Sequence, residues 1–199
     1  MNFDHRARRI LVTGKSGTGK TTEMVRLIRH IRPRWLFVFD PQREFSRKMG
    51  HDVCEDLVSM LDRVKARLPV FFDPHSMYPG ESARACAFFC RWSFEVSKCI
   101  HGQKLLVVDE IQLYTDTLRG GIPSGLAMVM DTGRREELDT LFASQRPNNV
   151  NDRIRSQLTE IITFAHTDDL PLRWLEKDGF NREEVSALKI PGGKLVRIL

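Results

Sequence analysis

The sequence predicts an α/β fold, with a mostly parallel sheet flanked by helices, and three observations lead to this prediction. Strand-like apolar runs alternate with helix-like segments, which favours parallel strands joined by helical crossovers. The segment 104–109 is apolar at successive positions, as in a strand covered on both faces. A glycine-rich loop separates the first strand from the first helix. At 199 residues and 41% hydrophobic content, the chain is large enough for one such domain over residues 1–199.

Each element follows from its local pattern. Short apolar runs bounded by turn-forming or charged residues predict strands, and apolar positions spaced three and four apart predict helices. Strands are predicted at 8–13, 35–40, 69–73, 104–109, 138–144, 160–165 and 194–198. Helices are predicted at 19–31, 54–67, 81–99, 124–135, 150–158, 171–177 and 182–188. No internal repeat or low-complexity linker interrupts this order.

The loop after the first predicted strand has a recognisable chemistry. Residues 14–22 form a complete G-x-x-x-x-G-K-[ST] phosphate-binding loop in the strand-to-helix context that the motif requires. Its backbone N–H groups and the N-terminus of the following helix attract phosphate. Lys20 is expected to reach the β- and γ-phosphates, and the Thr21 hydroxyl to bind Mg²⁺. The predicted nucleotide-binding residues are Gly14, Lys15, Ser16, Gly17, Thr18, Gly19, Lys20, Thr21 and Thr22.

A pair of carboxylates lies at the end of the strand predicted at 104–109, where Asp109 is followed by Glu110. In a protein with a phosphate-binding loop, this is the Walker B arrangement. Asp109 is expected to hold Mg²⁺, directly or through water, and Glu110 to orient and polarise the attacking water. A kinase does not need a water-activating glutamate at this place, so the pair favours an ATPase.

A third group surrounds the strand predicted at 138–144. Gln145 follows this strand at the carboxyl edge of the sheet, where open α/β sheets bind their ligands, and it can sense the γ-phosphate or hold the lytic water. Arg134 precedes the strand and is expected near the subunit surface. There it can stabilise transition-state charge on the nucleotide of a neighbouring subunit. The alternative interpretation of Arg134 is a solvated arginine at a helix end.

The net charge of +5 is concentrated near the N-terminus, because residues 1–34 contain nine Lys or Arg and two Asp or Glu. Part of this excess lies on one face of the first predicted helix, at Arg26, Arg29 and Arg32. Such a face is either simply solvated or directed at nucleic-acid phosphates, and the sequence leaves both open. No apolar run is long enough to span a membrane, and no signal-peptide pattern is present. The sequence therefore predicts a soluble, intracellular protein.

The four cysteines include no C-x-x-C pair, and we expect them to be reduced. Cys86 and Cys90 are four residues apart on a predicted helix, so they can share one face of it. Core packing is one interpretation, and a metal site together with His101 is the other.

The motifs together resemble the FtsK–HerA superfamily of ring-forming, DNA-pumping ATPases. The resemblance covers roughly residues 8–198 and rests on residues 14–22, 40–41, 109–110, 133–134, 143–147 and 191–194. Within the superfamily, the short chain is similar to the genome-packaging ATPases of membrane-containing icosahedral viruses. One position departs from the cellular FtsK and HerA pattern, because Glu137 stands where a glycine usually precedes the fourth core strand. Arg134 and Arg135 therefore remain alternatives for the arginine finger.

The resemblance implies a RecA-like core that binds ATP and Mg²⁺ and hydrolyses ATP at the subunit interfaces of a homo-hexameric ring. It implies Lys20, Glu110, Gln145 and Arg134 as catalytic residues, with Thr21 and Asp109 at the metal. Double-stranded DNA would pass through the central pore, so that viral genomic DNA is packaged into a preformed capsid. Capsid or membrane-vertex proteins are the implied further partners. The implied locations are the host cytoplasm and the packaging vertex of the virion.

Two other functions fit the same motifs. A filamentous-phage-type assembly or export ATPase, similar to zonula occludens toxin, shares them, although such proteins normally carry a transmembrane segment. A P-loop regulatory protein would bind nucleotide and partners without translocating DNA, and DNA-stimulated hydrolysis would separate it from a translocase. The segment 112–124 is expected to be a loop, with Arg119 offering phosphate affinity and the pair Gly120-Gly121 offering flexibility. It is either a DNA-contacting loop or an ordinary surface loop.

Overall fold

One seven-stranded sheet organises the chain. The structure is a computed structural model that describes residues 7–115 and 121–199. Six strands are parallel, and the last is antiparallel to its neighbour, in the order β3-β2-β4-β5-β1-β6-β7. The strands are β1 (Arg9–Thr13), β2 (Trp35–Phe39), β3 (Val70–Phe72), β4 (Lys104–Val108), β5 (Leu138–Ser144), β6 (Glu160–Thr163) and β7 (Leu195–Ile198). The predicted α/β fold with a mostly parallel sheet is confirmed.

Helices cover both faces of this sheet. They are α1 (Lys20–Ile31), α2 (Glu44–Met49), α3 (Leu57–Lys65), α4 (Ser82–Cys99), α5 (Ser124–Thr132), α6 (Asp152–Arg155), α7 (Asp169–Glu176) and α8 (Arg182–Ser186). Helices α1 and α2 pack on one face, in a core with Ile10, Val12 and Val107. Helices α3 to α8 contribute to the core on the other face, where Phe89 and Trp92 of α4 stack on each other. Among the described residues, no helix is both long and apolar enough to cross a membrane.

The helix predicted at 124–135 ends earlier than the sequence indicates. It stops at Thr132 and continues as a 3-10 turn over Gly133–Glu136. The Arg9 guanidinium, which is buried beneath the end of α5, donates to the carbonyl oxygens of Val129, Met130 and Leu138. The guanidinium thus joins carbonyl groups in the last turn of α5 to the first carbonyl group of β5, and the last carbonyl groups of a helix are in general ones that the helix itself leaves without partners.

Two other segments differ from the prediction. The helix predicted at 150–158 is a 3-10 turn over Pro147–Asn149 followed by the four-residue α6, because the Asn151 side chain accepts from the Arg153 N–H and starts the helix there. Helix α2 is not predicted at all. It begins beside Asp40, whose buried carboxylate accepts three backbone N–H groups, from Glu44 at 2.9 Å, Phe45 at 3.2 Å and Ser46 at 2.8 Å.

The cysteines on α4 match the core-packing interpretation. Cys86 and Cys90 are buried in the core between α4 and the sheet, while His101 is exposed. Burial, followed by contact with Cys90, raises the pKa of the Cys86 thiol well above its usual value. Both cysteines therefore contribute apolar packing.

Candidate nucleotide-binding site

Residues from each of the three sequence-predicted groups meet at one edge of the sheet. Strand β5 pairs with β1 on one side and with β4 on the other, all in parallel. The loops that leave the carboxyl ends of these three strands are therefore neighbours. They carry the phosphate-binding loop, the pair Asp109-Glu110, and Gln145, and together they line a cleft of about 520 Å³. Asp40 and the start of α2 form the far wall of this cleft.

The phosphate-binding loop is fixed by its glycines and by contacts with the neighbouring strands. Gly17 and Gly19 have φ of 75° and 106°, values that favour glycine. Gly14 has no room for a side chain, because an added Cβ would lie 2.6 Å from the Cβ of Phe164. The loop side chain of Lys15 contacts Thr167 and lies 3.4 Å from Asp168, which ties the outer side of the loop to the segment after β6.

Lys20 is folded back over the loop. Its ammonium donates to the carbonyl oxygens of Gly14 at 2.9 Å and Lys15 at 3.1 Å, and it lies 3.9 Å from Oε1 of Glu110. The side chain is only 7% exposed, and burial lowers its pKa, against the opposing effects of Glu110 and Asp109. A buried cation held by carbonyl oxygens can exchange them for phosphate oxygens, which carry more charge.

The first turn of α1 offers a second attraction for anions. The helix is 12 residues long and begins directly after Gly19, a residue without a side chain to cap the free N–H groups. Those N–H groups and the positive end of the helix dipole face the loop. Thr21 and Thr22 lie in this first turn and line the cleft.

Asp109 and Glu110 lie opposite this turn, at the end of β4. Burial, and next the neighbouring charge of Glu110, raise the pKa of Asp109 to about 6. Glu110 has a left-handed backbone conformation, with φ of 48°, which costs a non-glycine residue on the order of 1 kcal/mol. Strain of this kind is common where a side chain must be aimed at a ligand. Here the turn directs the Glu110 carboxylate back towards Lys20.

The oxygen donors at this edge fit a magnesium ion. Mg²⁺ prefers oxygen ligands and usually takes only one or two from the protein, the rest being water and phosphate. Asp109 and Thr21 both line the cleft and supply one carboxylate and one hydroxyl. Within the described part of the chain, no cluster of three or more His, Cys, Asp or Glu forms a metal cage. This donor set suits a cation that arrives with a nucleotide.

Gln145 and Arg134 lie at opposite ends of β5. The Gln145 backbone N–H donates to Oε2 of Glu110 at 2.9 Å, and the residue lines the cleft. Arg134 is exposed in the 3-10 turn before β5, as expected for a surface position. The seven residues of β5 lie between Arg134 and Gln145. At the usual rise per residue, a strand of this length is roughly 20 Å long. The structure therefore does not bring Arg134 to the cleft of its own chain, and the neighbouring Arg135 is exposed in the same turn.

Two further residues contact the site residues: Gln112, which no motif of the sequence includes, and Gly192, which lies in the segment 191–194 of the family resemblance. Gln112 donates from Nε2 to Oε2 of Glu110 at 2.5 Å, and Gly192 donates from its backbone N–H to the carbonyl oxygen of Thr18 at 3.2 Å. The only sequence signal for Gln112 is its position two residues after Glu110. Arg119 and Gly120 of the expected loop lie outside the described residues.

The similarity to solved structures is extensive, although no family model and no curated protein matches the sequence. The genome-packaging NTPase B204 from Sulfolobus turreted icosahedral virus 2, in complex with AMP, superposes with a TM-score of 0.67 at 17% identity, over 96% of this chain and 92% of that one. The same NTPase in complex with ATP-gammaS superposes with a TM-score of 0.64 at 17% identity, over 92% of this chain and 88% of that one. VirB4 of Thermoanaerobacter pseudethanolicus superposes with a TM-score of 0.66 at 13% identity, over 96% of this chain and 89% of that one. The chain thus has the fold of these proteins, in agreement with the RecA-like core expected from the sequence.

Proposed function

We propose that the protein is an ATP-driven DNA translocase that packages viral genomic DNA into a preformed capsid. One observation carries the proposal. The phosphate-binding loop, the pair Asp109-Glu110 and Gln145 converge on one cleft from three adjacent strands. The shared fold with a viral genome-packaging NTPase, over nearly the full length of both chains, supports the packaging role. The inferred catalytic unit is the single domain 1–199, acting as a homo-hexameric ring with capsid or membrane-vertex proteins as further partners.

In this proposal each of these residues has a task in ATP hydrolysis. The backbone of residues 14–22 holds the phosphates, and Lys20 leaves the loop carbonyls to meet the β- and γ-phosphates. Glu110 takes the proton of the attacking water, and Gln145 holds that water near the γ-phosphate. Thr21 and Asp109 would hold Mg²⁺, which neutralises charge on the phosphates when it is bound. In this proposal ATP is both ligand and energy source.

The position of Arg134 supports hydrolysis at subunit interfaces. It lies roughly 20 Å from the cleft of its own chain, at the opposite end of β5. An arginine finger must touch the transferring phosphoryl group, so Arg134 can act only on the nucleotide of an adjacent subunit. A ring brings one subunit's cleft against the next subunit's surface. Arg135, in the same turn, and Arg146, beside the cleft, are the alternatives.

Two substitutions test the ATPase assignment. Lys20→Ala should abolish turnover, because it removes the cation that meets the phosphates as charge shifts between them. Glu110→Gln should keep nucleotide bound and stop its hydrolysis, because the amide cannot take the water's proton. Phosphate release and the binding of a fluorescent ATP analogue are measured for both. Hydrolysis at the wild-type rate by Glu110→Gln would show that Glu110 is not the base.

DNA stimulation separates the translocase from the regulatory P-loop protein. We expect hydrolysis to rise with double-stranded DNA and to fall steeply with salt, since phosphate contacts release counterions. If about six phosphates are contacted, the DNA affinity drops by roughly 10³ between 50 and 200 mM salt. A regulatory P-loop protein would bind nucleotide with little turnover and no DNA binding at low salt.

A further inference from the structure

We propose that Gln112 is a positioning residue that holds the Glu110 carboxylate in its working orientation. The inference rests on the proposed function, in which Glu110 activates the attacking water. It adds a residue that no motif of the sequence assigns.

The two oxygens of the Glu110 carboxylate have different surroundings. Oε2 accepts the Gln112 side-chain N–H at 2.5 Å and the Gln145 backbone N–H at 2.9 Å. Oε1 lies 3.9 Å from the Lys20 ammonium, on the side of the phosphate-binding loop. The carboxylate is thus anchored through one oxygen, while the other is directed at the phosphate site. With the Gln145 N–H as its sole support, the carboxylate would be able to rotate about that single bond.

The chemistry of the amide fixes its orientation. A carboxylate accepts hydrogen bonds and repels another acceptor, so the NH₂ end of Gln112 must face Glu110. The other end, Oε1 of Gln112, is buried and has no hydrogen-bond partner among residues 7–115 and 121–199. A buried, unpartnered carbonyl oxygen is costly. The bond to Glu110 holds the side chain in place despite that cost, as is usual where a side chain serves a site and not the fold.

The backbone places this side chain where it can act. Glu110 is in the left-handed conformation, and the next four residues, Ile111–Tyr114, form a 3-10 turn. The turn folds the chain back, so that Gln112 points at the residue two positions before it. Gln112 also lines a small cavity of about 280 Å³ with Glu110, Gln145, Arg146 and Asn149. This cavity adjoins the main cleft, because Glu110 and Gln145 line both.

The test replaces Gln112 by methionine, which keeps the length and approximate volume of the side chain but cannot donate to a carboxylate. The matched control is Gln103→Met. Gln103 also donates from Nε2 to a carboxylate, that of Asp139 at 2.8 Å, but it lies at the opposite end of β4. Steady-state ATP hydrolysis gives kcat and KM, and a fluorescent ATP analogue gives the affinity. Thermal unfolding shows whether each variant is folded.

We expect Gln112→Met to lower kcat by about tenfold to a hundredfold, the range for losing a hydrogen bond to a charged group, with nucleotide affinity unchanged. Gln103→Met should keep the wild-type kcat. In a Glu110→Gln background, Gln112→Met should cause no further loss, because both changes disable the same group. If Gln112→Met does not fold, Gln112→Asn is used. It keeps a polar side chain that is one methylene too short for the bond, and it should show the same fall in kcat.

Three outcomes would overturn the inference. A wild-type kcat in Gln112→Met would show that the bond is structural only, and a raised kcat would show that Gln112 restrains Glu110. An equal loss in affinity and kcat would show a general disturbance of the cleft. A wild-type protein that binds ATP without hydrolysing it would instead refute the proposed function, and the inference with it. An active wild type with an unaffected Gln112→Met refutes the inference alone.

Discussion

His166 provides a prediction that depends only on burial and nearby charge. It follows β6, is completely buried, and forms a hydrogen bond of 3.0 Å between Nε2 and the Thr13 hydroxyl at the base of the phosphate-binding loop. Burial, and next the charge of Lys20, lower the pKa of His166 from 6.5 to about 4, while Asp168 opposes and Lys15 adds to the lowering. The folded protein therefore binds this proton less readily than the unfolded chain.

The sign and size of the effect follow from linkage. A histidine whose pKa is lowered on folding contributes to the free energy of unfolding in full above about pH 6.5. That contribution is lost as the pH falls from about 6.5 towards 4, because the unfolded chain binds the proton more tightly. For a shift from 6.5 to about 4, the full loss is about 3 kcal/mol at 1.36 kcal/mol per pH unit. Between pH 7.5 and 5, the two-state binding equation gives a loss of about 2 kcal/mol. Asp109 acts in the opposite direction, because its pKa is raised to about 6.

Comparison with His166→Gln separates the pH dependence of stability due to His166 from that due to Asp109. Glutamine can keep a polar group near the Thr13 hydroxyl and does not titrate in this range. Urea unfolding at pH 7.5, 6 and 5 should show the wild type losing about 2 kcal/mol relative to His166→Gln over this range. Thr13→Val should keep the wild-type difference, since burial is the main cause of the shift. Parallel stability curves for the wild type and His166→Gln would refute the reasoning.

Three further predictions concern the loop, α2 and the subunit interface. Gly14→Ala should abolish binding of a fluorescent ATP analogue, because its Cβ would clash with Phe164, the residue directly after β6. Gly17→Ala, with open space around it, should cost about 1 kcal/mol in thermal unfolding through its positive φ. Equal effects of the two substitutions would refute the steric argument. Asp40→Ala should lower the free energy of unfolding by about 3 kcal/mol, because three backbone N–H groups lose their acceptor, and an unchanged urea midpoint would contradict this. Arg134→Ala and Lys20→Ala proteins should each be inactive but regain ATP hydrolysis when mixed, because some interfaces then combine an intact loop with an intact finger. A mixture that co-assembles and stays inactive would exclude Arg134.

The parts of the fold that the sequence predicts are those set by local patterns. The strand with Leu105, Leu106, Val107 and Val108 is buried on both faces, as its unbroken apolar run indicates. The phosphate-binding loop is equally local, because its glycines serve a backbone shape that only a few positions determine. The placement of three motifs on one sheet edge then follows from parallel pairing alone. The individual catalytic roles stay predictions.

The parts of the fold that sequence patterns miss depend on individual side-chain contacts or backbone angles that have no periodic signal in the sequence. Helix α2 has only six residues, too few for a periodic signal, and its start is set by the Asp40 carboxylate reaching past Pro41. The end of α5 contacts Arg9 of β1, which donates to the carbonyl oxygen of Val129 from 120 positions away in the sequence. The role of Gln112 depends on the left-handed backbone of Glu110, which no spacing rule indicates. A carboxylate just before the helix acts in the first case, a side chain distant in sequence in the second, and an unusual backbone angle in the third.

The electrostatics of the cleft give a physical reason for nucleotide binding under the proposed function. Burial lowers the pKa of Lys20 and raises that of Asp109, so the protein disfavours the charged form of both groups. A nucleotide with its magnesium ion reverses both effects, because phosphate oxygens favour the ammonium and a cation favours the carboxylate. The free energy that the fold loses by burying these charges is then recovered only in the complex. A nucleotide that binds only the folded chain stabilises it by about 2.7 kcal/mol at a hundredfold excess over Kd. Under the proposed function, nucleotide binding and product release would therefore change the free energy of unfolding of the chain through the cleft where Glu110, Gln112 and Gln145 are joined by hydrogen bonds.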